Sequence, residues 1–107
     1  MSNKYDILGL KEDTFHPLEL IFEQAVKQAS EGKGSERHGS KNDFLKQQWV
    51  TLAETHGVGF LTGQAQKKLT EAVTNKTADN FDWYERELLG AINYIAMAIL
   101  KEKHGIH

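Results

Sequence analysis

The chain of 107 residues contains no cysteine. Disulfide staples, zinc ribbons and thiol nucleophiles are therefore excluded. A chain without disulfides fits a reducing compartment, and a cytoplasmic location is expected. There is one proline, Pro17, and there are few β-branched runs, which argues against an all-β fold. No excess of positive charge is present: 13 Lys and Arg stand against 15 Asp and Glu, a net charge of −2. Without a basic stripe to meet phosphates, general DNA or RNA binding is not expected. The opening stretch MSNKYDILGLKED has no long apolar core, so no signal peptide is expected. The most apolar stretch is interrupted by Asn93 and bounded by charges, so no membrane span is expected either.

What the chain does have is 39% hydrophobic residues, enough for one modest core in one domain, residues 1–107. Its organising stretch is Trp83 to Lys103, WYERELLGAINYIAMAILKEK. Leu88, Ile92, Ile95 and Ile99 follow helical spacing, and Leu89, Ala96 and Leu100 do so one step round the cylinder. A helix apolar on so many faces must be surrounded by others. Small residues Gly90, Ala91, Ala96 and Ala98 let neighbours approach closely. The expected fold is all-α: a four-helix bundle with a central apolar C-terminal helix, oligomeric through that helix and through Trp83 or Trp49.

Residues 1–13 read as an N-terminal arm pinned by Tyr5, Ile7, Leu8 and Leu10. A first helix is expected from near Pro17, since proline is favoured in a first helical turn. Its stripe is Leu18, Phe22, Ala25 and Ala29, with Ile21 and Val26 beside it. Glu19 and Glu23, four apart, share one face. Residues 31–41 form a polar loop, rich in glycine and serine, with nothing large to bury. Within it, Arg37 offers a planar fork for phosphate or carboxylate, and His38 titrates near neutrality. A second helix is expected over 42–56, capped by Ser40, with Leu45, Trp49 and Leu52 inward and Gln47 on the surface. Gly57 suits a helix end. A third helix is expected from Gly63 to about Asn75, with Thr62 as its cap and Ala65, Leu69, Ala72 and Val73 inward. The segment GVGFLTGQ is not a phosphate loop: Gln64 stands where the lysine belongs and no strand precedes it. A helix start there still offers free N–H groups to an anion. Asp79, Asn80 or Asp82 is the expected cap of the last helix, and Asp82 with Glu85 has the spacing of a capping box.

The first helix with its carboxylates and the last helix reading ERELLGAINYIA resemble the all-α nucleoside triphosphate pyrophosphohydrolases, the MazG-like group, and small phage-encoded relatives. The resemblance spans roughly residues 17–100. It implies a magnesium ion held by carboxylates on two helices, which bridges a triphosphate and helps activate water. The available carboxylates are Glu19, Glu23, Asp82, Glu85 and Glu87. The pattern departs from the family: helix one offers ExxxE rather than ExxE, and Gly90 stands where an aspartate is wanted after Glu87. The resemblance therefore implies a scaffold that binds a nucleotide without turning it over, in the manner of phage proteins that sequester nucleotide signals.

The resulting expectation is a non-catalytic homo-oligomer that binds a small phosphate-bearing ligand, a nucleotide, without a cofactor. Arg37, His38, Lys67 and Lys68 would meet phosphates, Gln64 and Asn93 would read polar edges, and Trp83 or Tyr84 would stack on a base. Two alternatives stand beside it: a magnesium-dependent pyrophosphohydrolase using the five carboxylates, and a protein-interaction or inhibitor module using the polar loop.

Overall fold

The computed structural model describes residues 14–31 and 43–104. All regular structure among them is helical. Helix α1 spans His16–Glu31, a short 3-10 turn spans Phe44–Lys46, α2 spans Gln48–His56, α3 spans Val58–Asn75 and α4 spans Phe81–Lys103. The arm, the Ser40 cap, Arg37 and His38 lie outside the described residues. No helix among the described residues is long and apolar enough to cross a membrane.

Helix α4 is the central element, packed against both α3 and α1. The face it turns inward is Leu89, Gly90, Ala91, Tyr94, Met97, Ala98 and Lys101. This corrects the expected stripe: Ile95 and Ile99 lie on the open side, Ile99 being 57% exposed. A helix apolar all round has no periodicity to say which side meets its neighbours. Along α3, Leu61, Ala65 and Ala72 are buried, whereas Leu69 and Val73 are exposed, contrary to expectation.

The core gathers where α2, α3 and α4 meet: Trp49, Ala53, Leu61, Ala65, Tyr94, Met97 and Ala98. Trp49 is wholly buried. Its Nε1 donates to the Phe44 carbonyl at 2.8 Å, and its ring centroid lies 5.3 Å from that of Phe44. These contacts account for a break in the expected second helix. The chain makes a 3-10 turn at Phe44–Lys46 and is extended at Gln47 (φ −80°, ψ 166°) before α2 begins. Looping back in this way brings the Phe44 carbonyl to the indole and satisfies a buried donor that would otherwise cost free energy. Leu45 is left exposed and Gln47 is buried, both against expectation. Because Trp49 is enclosed within one chain, it has no surface to offer a second copy.

The turn between α2 and α3 is a single residue. Gly57 has φ 80° and ψ 179°, a region open essentially to glycine alone. Its N–H closes α2 by donating to Ala53 O at 2.7 Å. The chain then enters α3 at Val58, so the third helix starts five residues earlier than expected. Thr62 is not a cap: its hydroxyl bonds back to Val58 O at 3.3 Å, inside the helix. The α3–α4 turn is braced by Asn80, whose Oδ1 accepts from Thr77 N at 2.8 Å and whose Nδ2 donates to Asn75 O at 2.9 Å. Asn80 is the residue before α4, and Asp82 sits within its first turn rather than capping it.

Candidate functional site

Residues that could bind a ligand are carried mainly on the facing sides of α3 and α4 and in the turn joining them. Lys68 is half-buried on α3 and reaches across to Glu87 on α4, with Nζ 3.7 Å from Oε1. Both side chains are 18% exposed. The stem of Lys68 lies over Gly90, where an added Cβ would come within 2.9 Å of Lys68 Cδ. Gly90 therefore gives the lysine its passage. Glu87 Oε2 is buried and accepts no hydrogen bond. The glutamate has one oxygen facing a cation and one without a partner, an incompletely satisfied arrangement.

At the other end of the same face, Trp83 and Tyr84 are half-buried in the first turn of α4. Lys76, in the preceding turn, places Nζ 5.4 Å from the centroid of the Tyr84 ring. That is a cation–π geometry. Phe81 packs against the other side of this turn, 6.4 Å from Tyr84 centroid to centroid. Sequence reasoning missed Lys76. Its signal was position alone, a cation eight residues before a tyrosine across a short connector.

The remaining expected residues are placed as follows. Gln64 is half-buried one turn before Lys68, and Lys67 is exposed beside it. The start of α3 at Val58 puts both in a helix interior, so the free N–H groups expected near Gly63 are not there. Asn93 Nδ2 donates to Ala25 O at 3.0 Å, and Gln28 Nε2 donates to Arg86 O at 3.0 Å. These two amides tie α1 to α4, and their order along the chains shows that the helices run antiparallel. Asn93 therefore has a structural bond, as a polar residue among apolar neighbours requires.

The five carboxylates do not come together. Glu19 is 63% exposed on α1, 3.9 Å from His16 Nδ1, and Glu23 is exposed one turn along. These two, with Phe22 and Val26, line an open groove of about 440 Å³ on the outer side of α1. Asp82 is exposed, Glu85 is half-buried, and Glu87 faces Lys68. Among the described residues no three His, Cys, Asp or Glu side chains gather so as to hold a metal ion. Magnesium wants several converging oxygens, so the magnesium site implied by the family resemblance does not fit these residues.

No protein family, curated protein or solved structure gives a significant match to this chain.

Proposed function

We propose that this protein is a non-catalytic, oligomeric binder of a small phosphate-bearing ligand, a nucleotide, acting in the cytoplasm. The observation that carries the reading is the cluster at the α3–α4 turn, where Lys76 stands over Tyr84 beside Trp83. An aromatic ring with a cation at its face suits a base and a phosphate held side by side. Lys67 lies further along α3, exposed and free to turn toward an anion as a flexible point charge. Lys68 already has Glu87 as counter-charge, so its part is to balance that carboxylate until a more negative group arrives. Dispersal of the carboxylates favours binding over magnesium-dependent hydrolysis.

A thermal-shift screen of nucleoside triphosphates, dinucleotides and cyclic nucleotides, each with and without magnesium, tests this reading. A ligand at about 100 times its Kd stabilises the fold by about 2.7 kcal/mol, which raises Tm visibly. The expected result is a magnesium-independent shift with the nucleotide recovered intact, and loss of that shift in Tyr84→Ala and Lys76→Ala. A magnesium-dependent shift with nucleotide consumed would reinstate the hydrolase. No shift with any nucleotide would leave the protein-interaction reading.

A further inference from the structure

We infer that the base of the ligand is guanine, read by the carboxylate of Glu87. The inference rests on the nucleotide reading above and names the base which that reading leaves open. Glu87 stands in the seam between α3 and α4, with its side chain 18% exposed. Its Oε2 is buried and accepts no hydrogen bond. Lys68 Nζ lies 3.7 Å from Oε1, close enough for an ion pair and too far for a hydrogen bond. The lysine thus balances the charge without occupying the lone pairs. A buried acceptor left in this state costs free energy, and a ligand that brings donors recovers it.

Placement along α4 sets which part of a ligand can bring them. Trp83, Glu87 and Gly90 are spaced four and three apart and share one face of the helix. At a rise of about 1.5 Å per residue, Glu87 stands about 6 Å along the axis from Trp83 and about 4.5 Å from Tyr84. These steps are comparable to the width of a base. A base stacked on either ring therefore presents its edge to the carboxylate. Over Gly90 the space is filled only by the Lys68 stem, the end of a flexible side chain. When the ammonium swings to a phosphate, the stem leaves that space to the incoming ring edge.

The chemistry of the edge then selects the base. An ionised carboxylate offers acceptors and no donor. Guanine has two adjacent N–H donors on its Watson–Crick edge, N1–H and the N2 amine. Adenine and cytosine each set one amino donor beside a ring nitrogen acceptor, which the second carboxylate oxygen repels. Uracil flanks its single N–H with two carbonyls. Two parallel N–H···O bonds satisfy both oxygens of Glu87 at once, and bonds to an ionised acceptor are the strong ones.

The test is isothermal titration calorimetry on the full chain. The probes are the guanine, hypoxanthine and adenine forms of the nucleoside triphosphate, the cyclic mononucleotide and the dinucleotide. Hypoxanthine keeps N1–H and lacks the N2 amine. The guanine form is expected to bind about tenfold tighter than the hypoxanthine form and about a hundredfold tighter than the adenine form, about a factor of ten for each bond to a charged acceptor. Glu87→Gln, with the helical circular dichroism of the wild type, is expected to lose this order, because an amide offers one acceptor and one donor group. Should that variant fail to fold, the wild-type ligand series decides alone. Guanine and adenine forms that bind equally overturn the assignment and leave nucleotide binding standing. So does a guanine preference that survives Glu87→Gln. Binding of none of the probes removes the nucleotide reading itself, and this inference with it.

Discussion

Single residues show where this chain departs from ideal helix chemistry and which departures matter. Gly57 is held at φ 80° and ψ 179°, and no other residue adopts that conformation without strain. Gly57→Ala should cost about 1–3 kcal/mol even though open space surrounds the new Cβ. Gly63 is the opposite case. It lies inside α3, and an added Cβ would meet nothing within 4 Å. Glycine in a helix interior is about 1 kcal/mol worse than alanine, so Gly63→Ala should raise stability by that amount in urea denaturation. An unchanged or lower midpoint would overturn this expectation. Buried polar residues were harder to foresee. Gln47 is enclosed because the chain loops back over Trp49, and Lys101 because it stands seven residues after Tyr94, on the core side of α4. A lysine in a last helical turn reads as a dipole partner; only the wheel position betrays that its stem is covered.

Between elements, a polar contact crosses from α3 to α4 beside their apolar core. Lys68, Glu87 and Gly90 form a unit: the lysine passes over the glycine to reach the carboxylate. Lys68→Ala should cost about 2 kcal/mol, since it strands a mostly buried carboxylate. Gly90→Ala should gain less than helix propensity alone would give, because the new methyl must push aside the flexible end of the lysine stem. In the Lys68→Ala background the same Gly90→Ala change should instead stabilise by about 1 kcal/mol through helix propensity. The coupling, measured as a double-mutant cycle, reports the pair directly; additive effects would mean that lysine and glycine do not interact in solution. The α1–α4 contact is weaker in kind. It rests on Ala25, on the Asn93 and Gln28 amides, and on little buried apolar surface.

At the scale of the whole molecule, three helices close a core and the fourth leans on it. The α2–α3–α4 cluster around Trp49 and Leu61 is well enclosed. The outer side of α1, where Leu18, Phe22 and Val26 are exposed, is not. If the proposed oligomer forms, folding and association are linked, and Tm should climb with protein concentration between about 1 and 100 µM. A Tm independent of concentration in the wild type would count against association in this range.

The sequence by itself determined the helical class, the four α-helices found among the described residues and the rank of the last one. These follow from the scarcity of proline and of β-branched runs and from the 3.6-residue spacing of apolar residues, all local properties. It also marked Asn93 as a polar residue that must find a partner, and Gly57 as a helix end. Only the tertiary structure decided which side of α4 faces inward, because apolar residues lie on nearly every face and their spacing admits more than one inward side. Likewise, the break at Gln47 depends on Trp49 seeking a carbonyl outside its own helix, and the early start of α3 depends on glycines tolerated within it. The candidate site was least legible. Lys68 lies some twenty residues before Glu87 and Gly90 along the chain, and Asn93 lies 68 residues from Ala25. Spacing within one helix says which residues share a face, and the register between two helices is set by packing that no single segment encodes.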